Sequence, residues 1–185
     1  HVIGDLQRLI GLLAGTMSHD EAYDFLSIGR LLERADLTSR VLDVRAGYLM
    51  HLGNHLGPFT EVTWLGVLRS LSGYQMYRRK VQSRVHGPEA LRFLLQDPDF
   101  PRSISHCLGE INRCLHRLGH SGASIAASTT ARENVDSAKV RSLAWDGLHD
   151  FVDGLQSDLA AIHDAVEVGY FRPSVTDARP SLATA

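Results

Sequence analysis

The sequence predicts an all-α fold, an antiparallel helical bundle of about five to six helices with a long C-terminal helix. Three observations carry that prediction. Apolar residues recur at three- and four-residue intervals through almost every long segment. No convincing alternating strand run interrupts them. A seven-residue repeat is sustained over residues 132–170, the pattern of helices that pack at shallow angles.

Each element follows from its residues. Ile3, Leu6, Leu9, Ile10 and Leu13 place a first helix over residues 2–15. "SHDE", Ser18 to Glu21, reads as a capping box in which the Ser18 hydroxyl and the Glu21 carboxylate satisfy each other's backbone amides. A long helix is expected from about 19 to about 50, broken by "HLGNHLGP" with its two glycines and a proline. Trp64, Leu65, Leu68, Leu71, Met76 and Val81 mark a third helix from near Thr60 to about Val85. Gly87-Pro88 fits the start of a short fourth, with proline in the first turn.

The turn "DPDFP" (97–101) separates it from a fifth, whose face is Ile104, Cys107, Leu108, Ile111, Cys114, Leu115 and Leu118. Gly119 is its expected C-terminal cap. The small, polar "HSGASIAASTTA" (120–131) reads as a connector. In the last helix Ala138, Trp145, Val152, Leu159 and Val166 form one row, and Arg141, Leu148, Leu155, Ile162 and Gly169 the other. One helical domain is therefore expected over 1–172, with a disordered polar tail at 173–185.

Composition narrows the function classes. Apolar residues make up 44 % and charged residues 22 %, the balance of an ordinary globular chain. Net charge is −2, which removes overall charge as an argument for nucleic-acid binding. Apolar runs are only a few residues long, short of the ~20 needed to span a bilayer. No charged stretch followed by an apolar one opens the chain, so nothing argues for secretion. Cys107 and Cys114 sit two helical turns apart, about 10 Å along the axis and beyond disulfide reach. Both are expected as buried, reduced residues of a cytoplasmic protein.

The unusual feature is "IGRLLERADLTSRVLDV", residues 28–44. Ile28, Leu32, Ala35 and Leu42 make an apolar stripe, yet charges thread through it. A second line collects Leu26, Arg30, Glu33, Leu37, Arg40 and Val44. Arg141 also occupies a seam position where an apolar side chain is expected. Charges on a buried face cost several kcal/mol each unless paired and hydrogen-bonded. Three readings of the spacing stand: a solvated face, an internal network in which Glu33 accepts from Arg30, Arg40 or an arginine of the last helix, or a ligand-binding or catalytic site.

The same stretch, as "GRLLERADLTSRVLDV", resembles the ER-motif signature of the bacterial alpha-E domain family. "WLGVLRSLSGYQMYRR" (64–79), "FLLQDPDFPRSISHCL" (93–108) and "ARENVDSAKVRSLAWDGLH" (131–149) resemble further family stretches in the right order. The Glu-Arg pair falls on Glu33-Arg34, and the family's Arg-Glu-Asn element on Arg132, Glu133 and Asn134. Downstream the sequence departs, with Asp136 and Lys139 where members are richer in arginine. Members begin earlier, with another "LGRYLERAE"-like stretch, so the resemblance implies the C-terminal portion of the domain, truncated at its N-terminus. It also implies an inward-facing Glu33 network that fixes helix packing. Members are encoded beside, or fused to, circularly permuted ATP-grasp proteins and transglutaminase-like proteins, which implies a peptide-ligating or peptide-modifying system.

Other motifs are weaker. His51 and His55 have zinc-ligand spacing but lie in a glycine-broken stretch with no third ligand nearby, and Gly119 stands between His116 and His120 at a helix end. No metal site and no cofactor is expected. Arg78, Arg79, Lys80 and Arg84, flanked by Tyr74 and Tyr77, form a basic cluster that suits docking of an acidic partner. No phosphate loop, nucleophile elbow or Cys-His pair occurs.

Two function classes remain. One is a non-catalytic module working with an ATP-grasp ligase. The other is an enzyme or half-enzyme in which Arg30, Glu33, Arg34, Arg132 and Glu133 line a pocket for a carboxylate or phosphate.

Overall fold

The computed structural model describes residues 2–52 and 57–172, and side chains within them except those of Ile3 and residues 45–60. The middle of the expected break at "HLGNHLGP" (53–56), the side chains of the His51/His55 pair and the tail at 173–185 therefore lie outside what is described. The fold is all-α, as the periodicity requires, with nine α-helices among the described residues. They are α1 (Val2–Thr16), α2 (Glu21–Leu52), α3 (Gly57–Ser70), α4 (Tyr74–Lys80), α5 (Gly87–Gln96), α6 (Ile104–Leu118), α7 (Gly122–Asp136), α8 (Val140–Leu143) and α9 (Leu148–Val166). A π-helical turn, Glu167–Phe171, extends α9.

Four of these make the frame. α2 packs on α6, α6 on α7, α7 on α9, and α9 back on α2, closing a ring. Cross-links show that neighbours run antiparallel. Along α2, Asp24 meets Arg117 near the end of α6, whereas Thr38 meets the carbonyl of Arg102 just before α6 begins. Between α2 and α9, Asp43 meets His149, Ser39 meets Gln156, and Phe25 meets Tyr170. One core runs through the ring, including Ile28, Ala35 and Leu42 of α2, Ile104, Leu108, Ile111 and Leu115 of α6, and Val152, Leu155, Leu159 and Ile162 of α9. Each such aliphatic side chain, fully buried, contributes about 1.5–3 kcal/mol of transfer free energy. The shorter α3, α4 and α5 add Trp64, Leu68, Tyr77, Leu91 and Phe93 to the same cluster, and the turn after α5 adds Phe100. Helix α1 stays outside it, with Val2, Leu6, Leu9, Ile10 and Leu12 exposed.

Several boundaries differ from expectation, each for a local reason. α2 is capped by Asp20, whose Oδ1 accepts from the amides of Ala22 and Tyr23 at 3.1 and 3.4 Å, so Ser18 and Glu21 form no capping box. The carboxylate nearer the first turn wins, helped by the helix dipole. The expected third helix is two. At Leu71–Gly73 the chain turns through Ser72, at φ +54, and the Gly73 amide bonds back to the Leu68 carbonyl at 2.7 Å. A side chain on Gly73 would press on Phe100, 3.0 Å away, so the turn brings α4 under the aromatic cluster.

The connector is also a helix. Ser124, Ser128, Ala131 and Val135 recur with helical period and are buried, and the Ser121 hydroxyl caps the Ser124 amide. Small side chains hide this amphipathic face from a hydropathy reading but let α7 lie close to α6 and α9. α7 then stops at Asp136, where the Gln96 side-chain amide reaches from α5 to the carbonyls of Val135, Asp136 and Ala138. The single long helix expected over 132–170 is therefore three pieces, with Gly147 at φ +79 before α9. Trp145, placed in the seam by the heptad, is 78 % exposed, and Arg141 is exposed on α8. From Leu148 onward the heptad holds, and Leu148, Val152, Leu155, Leu159, Ile162 and Val166 are buried.

Glycine substitutions test this packing. A Cβ at Gly87 would lie 2.7 Å from Trp64 Nε1, whereas one at Gly109, inside α6, meets nothing within 4 Å. Gly87→Ala is expected to lower the unfolding free energy by roughly 1–3 kcal/mol in urea titrations. Gly109→Ala is expected to raise it by roughly 0.5–1 kcal/mol. A Gly87→Ala protein as stable as the parent would contradict the Trp64 contact.

Candidate functional site around the Glu33–Arg34 pair

α2 is two-sided. Its inner face is Asp24, Ile28, Leu31, Ala35, Thr38 and Leu42, all buried, in steps of three and four. The line Gly29, Glu33, Leu37, Arg40, Val44 faces solvent, with Leu37 54 % and Val44 71 % exposed. The Glu-Arg pair straddles the boundary. Glu33 is exposed and makes no hydrogen bond or ion pair with any described residue. Arg34 is half-buried, and its Nη1 donates to the Pro101 carbonyl at 3.2 Å. Burial holds the Arg34 guanidinium below its usual pKa, and the like charges of Arg102 and Arg30 push the same way against the opposing effect of Cys107.

The expected inward network of Arg30, Glu33, Arg40 and Arg141 is not formed. Arg40 is exposed, and its Nε binds Asp36 Oδ2 at 2.7 Å one turn back along α2. That pairing is the largest cause of its raised pKa. Arg30 is half-buried, and its Nε and Nη1 are buried with no hydrogen-bond partner. Leaving such donors unmet costs about 1–3 kcal/mol each. The reason for the discrepancy is helix phase: two stripes of α2 carry apolar residues, and the one containing Ile28 and Ala35 is the buried one.

The Arg-Glu-Asn element also stands apart from Glu33. It lies on α7, whose main packing partners are α6 and α9. Arg132 and Glu133 are exposed, Arg132 Nε pairs with Asp136 at 3.4 Å, and Asn134 Nδ2 fastens α7 to α9 through Asp158 at 2.8 Å. The five residues expected to line one pocket are therefore not brought together. The basic cluster on and after α4 is exposed, and Tyr74, Gln75, Arg78 and Arg79 line an open depression of ≈ 480 Å³. Lys80 belongs less to that surface than to the fold, since its Nζ holds the buried Asp97 at 2.6 Å and Asp99 at 3.2 Å. Cys107 and Cys114 are free and buried, as the spacing requires. Burial pushes the Cys107 thiol up to about 11 against the pull of Arg34 and Arg102, so it is uncharged at neutral pH.

Sequence reasoning missed four features. An ion pair with one buried partner does exist, but between the buried Asp24 and the exposed Arg117: Nε donates to Oδ2 at 3.1 Å and Nη2 to Oδ1. Neither residue lies in a recognisable motif, and only the inward phase of Asp24 in the first turn of α2 signals it. Arg102 follows the expected turn at 97–101 and was given no role of its own. His149 of α9, its Nδ1 2.6 Å from Asp43 Oδ1 and its Nε2 3.6 Å from Asp153 Oδ2, forms an Asp-His-Asp group with ligand atoms within 4.8 Å of one another. His163, Asp164 and Glu167 form a second such group, mostly exposed. Hydrogen bonding to Asp43, then the charge of Asp153, raises the pKa of His149 above its usual value.

The Asp24 pair has a pH signature. Its hydrogen bond with Arg117 keeps the Asp24 carboxyl below the ordinary 3.8 despite burial, so its contribution is full above that value and is lost as pH falls through the lower folded pKa. Arg117→Met is expected to cost about 1–2 kcal/mol at neutral pH, because the exposed side of Arg117 leaves part of the interaction to water. That cost should shrink toward zero in denaturant titrations repeated at successively lower pH. A cost independent of pH would contradict the pair.

No curated protein and no solved structure matches the chain. A family model does match, over residues 1–171, and its description is a predicted alpha-helical domain with a conserved ER motif. The only adjacent Glu-Arg in the sequence is Glu33-Arg34, on the edge of the α2 face just described. The all-helical fold and the motif agree, and the chain belongs to the alpha-E family.

Proposed function

We propose that this chain is a non-catalytic helical interaction module that works with an ATP-grasp-type carboxylate–amine ligase in a peptide synthesis or peptide modification system. The observation that supports it is the outward stripe of α2. Glu33, Leu37, Arg40 and Val44 stand exposed in line, two charges alternating with two large apolar side chains, on a helix whose other face is locked into the core. Such a mixture suits a partner surface, where apolar anchors supply contact area and charges set the register. A rigid helix also presents these groups at no ordering cost on binding. The choice of an ATP-grasp partner rests on the family resemblance, in which the ligase would activate a carboxylate as an acyl phosphate and a transglutaminase-like protein belongs to the same system.

The basic surface at Arg78, Arg79 and Arg84 offers a second contact for an acidic partner, without Lys80, whose charge is taken up by Asp97 and Asp99. Co-purification with the neighbouring ATP-grasp protein, followed by an ATP-consumption assay with and without the module, tests the reading. Glu33→Lys combined with Leu37→Asp should abolish co-purification and any effect on ATP turnover while leaving the circular-dichroism melt unchanged. If the double variant co-purifies and acts as the parent does, or if the parent never affects the ligase, the proposal falls.

A further inference from the structure

We propose that Arg30, Arg34 and Arg102 form a binding site for a carboxylate or phosphate group, between α2 and the turn that precedes α6. Two of the three stand one turn apart on α2. The third is brought to them by the backbone, because Arg34 Nη1 holds the Pro101 carbonyl at 3.2 Å and Thr38 Oγ1 holds the Arg102 carbonyl at 3.1 Å. The like charges of Arg102 and Arg30 both act on the Arg34 guanidinium, in keeping with that placement.

The cluster also carries no counter-charge of its own. None of the three guanidiniums is ion-paired with a carboxylate among the described residues, and unlike the exposed, unpaired arginines of α4, Arg30 and Arg34 are half-buried. The one acidic side chain that acts on Arg34 is the Cys107 thiol, and burial keeps it protonated at neutral pH. Arg34 therefore sits beside two like charges with no carboxylate acting on it. Arg30 adds a second, independent sign, since two of its donors lie against protein that supplies no acceptor. Turning that side chain onto an oxyanion sacrifices no hydrogen bond and gains charge-assisted ones. Guanidinium groups match planar carboxylate and tetrahedral phosphate oxygens better than lysine would.

The site is distinct from the pocket expected from sequence, since it includes Arg102 and excludes Glu33, Arg132 and Glu133. It depends on neither the ligase partner nor the outward stripe, and failure of co-purification leaves it standing. A peptide C-terminus and a phosphate ester share the required chemistry, and the experiment separates them.

Titrating the full chain with inorganic phosphate, and separately with N-acetyl-glycyl-alanine bearing a free or an amidated C-terminus, while recording arginine Nε–H resonances, tests the proposal. Arg30, Arg34 and Arg102 resonances should shift together and saturate with phosphate or with the free-acid peptide. Chloride at equal ionic strength and the amidated peptide should leave them in place. Saturation by only one of the two probes identifies the ligand class. Arg30→Met or Arg102→Gln should weaken binding at least about tenfold, the loss of one charge-assisted hydrogen bond. The double variant Arg78→Gln/Arg79→Gln should bind as the parent does. Arg102 is exposed, so Arg102→Gln carries the test even where Arg30→Met fails to fold. Non-saturating drift that chloride reproduces, or equal binding by parent and Arg102→Gln, overturns the proposal.

Discussion

The fold depends on how α2 is fastened to α6. At one end the buried Asp24 carboxylate takes the Arg117 guanidinium, and at the other Arg34 and Thr38 reach the carbonyls of Pro101 and Arg102. Between them Ile28, Leu31, Ala35 and Leu42 join Cys107, Leu108, Ile111, Cys114 and Leu115 in one apolar cluster. Polar links at both ends of an apolar seam set its register, because a slip by one turn would strand Asp24 unpaired and buried. α7 and α9 then complete the ring on a pair whose phase is already set, with Tyr170 closing onto the Gly119 carbonyl at 2.6 Å.

That phase explains the Glu-Arg motif. Fixing Ala35 and Thr38 inward turns Arg34 onto the turn before α6 and leaves Glu33 in solvent. The two motif residues have different physical roles despite being adjacent. Arg34 is bound to backbone and sits among like charges, so its environment serves packing and favours an anion. Glu33 contributes little to the monomer's own contacts, which leaves it available to a partner.

Much of this was legible in the sequence and some was not. The face of α6, from Ile104 to Leu118, is entirely apolar at helical spacing, and every residue expected there is buried. α9 was equally clear from Leu148 onward. The buried side of α2 was ambiguous because Leu37 and Val44 are as apolar as Leu32 and Leu42, and only tertiary contacts choose between two stripes less than half a turn apart. α7 was missed because serine and alanine carry little hydropathy, although Ser124, Ser128 and Ala131 pack as a core face. The end of α7 at Asp136 is met by Gln96, some 40 residues earlier in the chain, which no local pattern could reveal, whereas the break before α9 turns on the left-handed Gly147 inside an otherwise sustained heptad. Arg102 was invisible for a similar reason: its neighbours on α2 are set by the fold.

The division of α2 into an inward Arg34 and an outward Glu33 is most directly tested by thermal melts of Glu33→Gln and Arg34→Gln recorded side by side. An unchanged melt for Glu33→Gln, with a loss of about 1 kcal/mol for Arg34→Gln from its bond to the Pro101 carbonyl, is the expected outcome. A Glu33→Gln protein destabilised as strongly as Arg34→Gln would put Glu33 inside the bundle and contradict it.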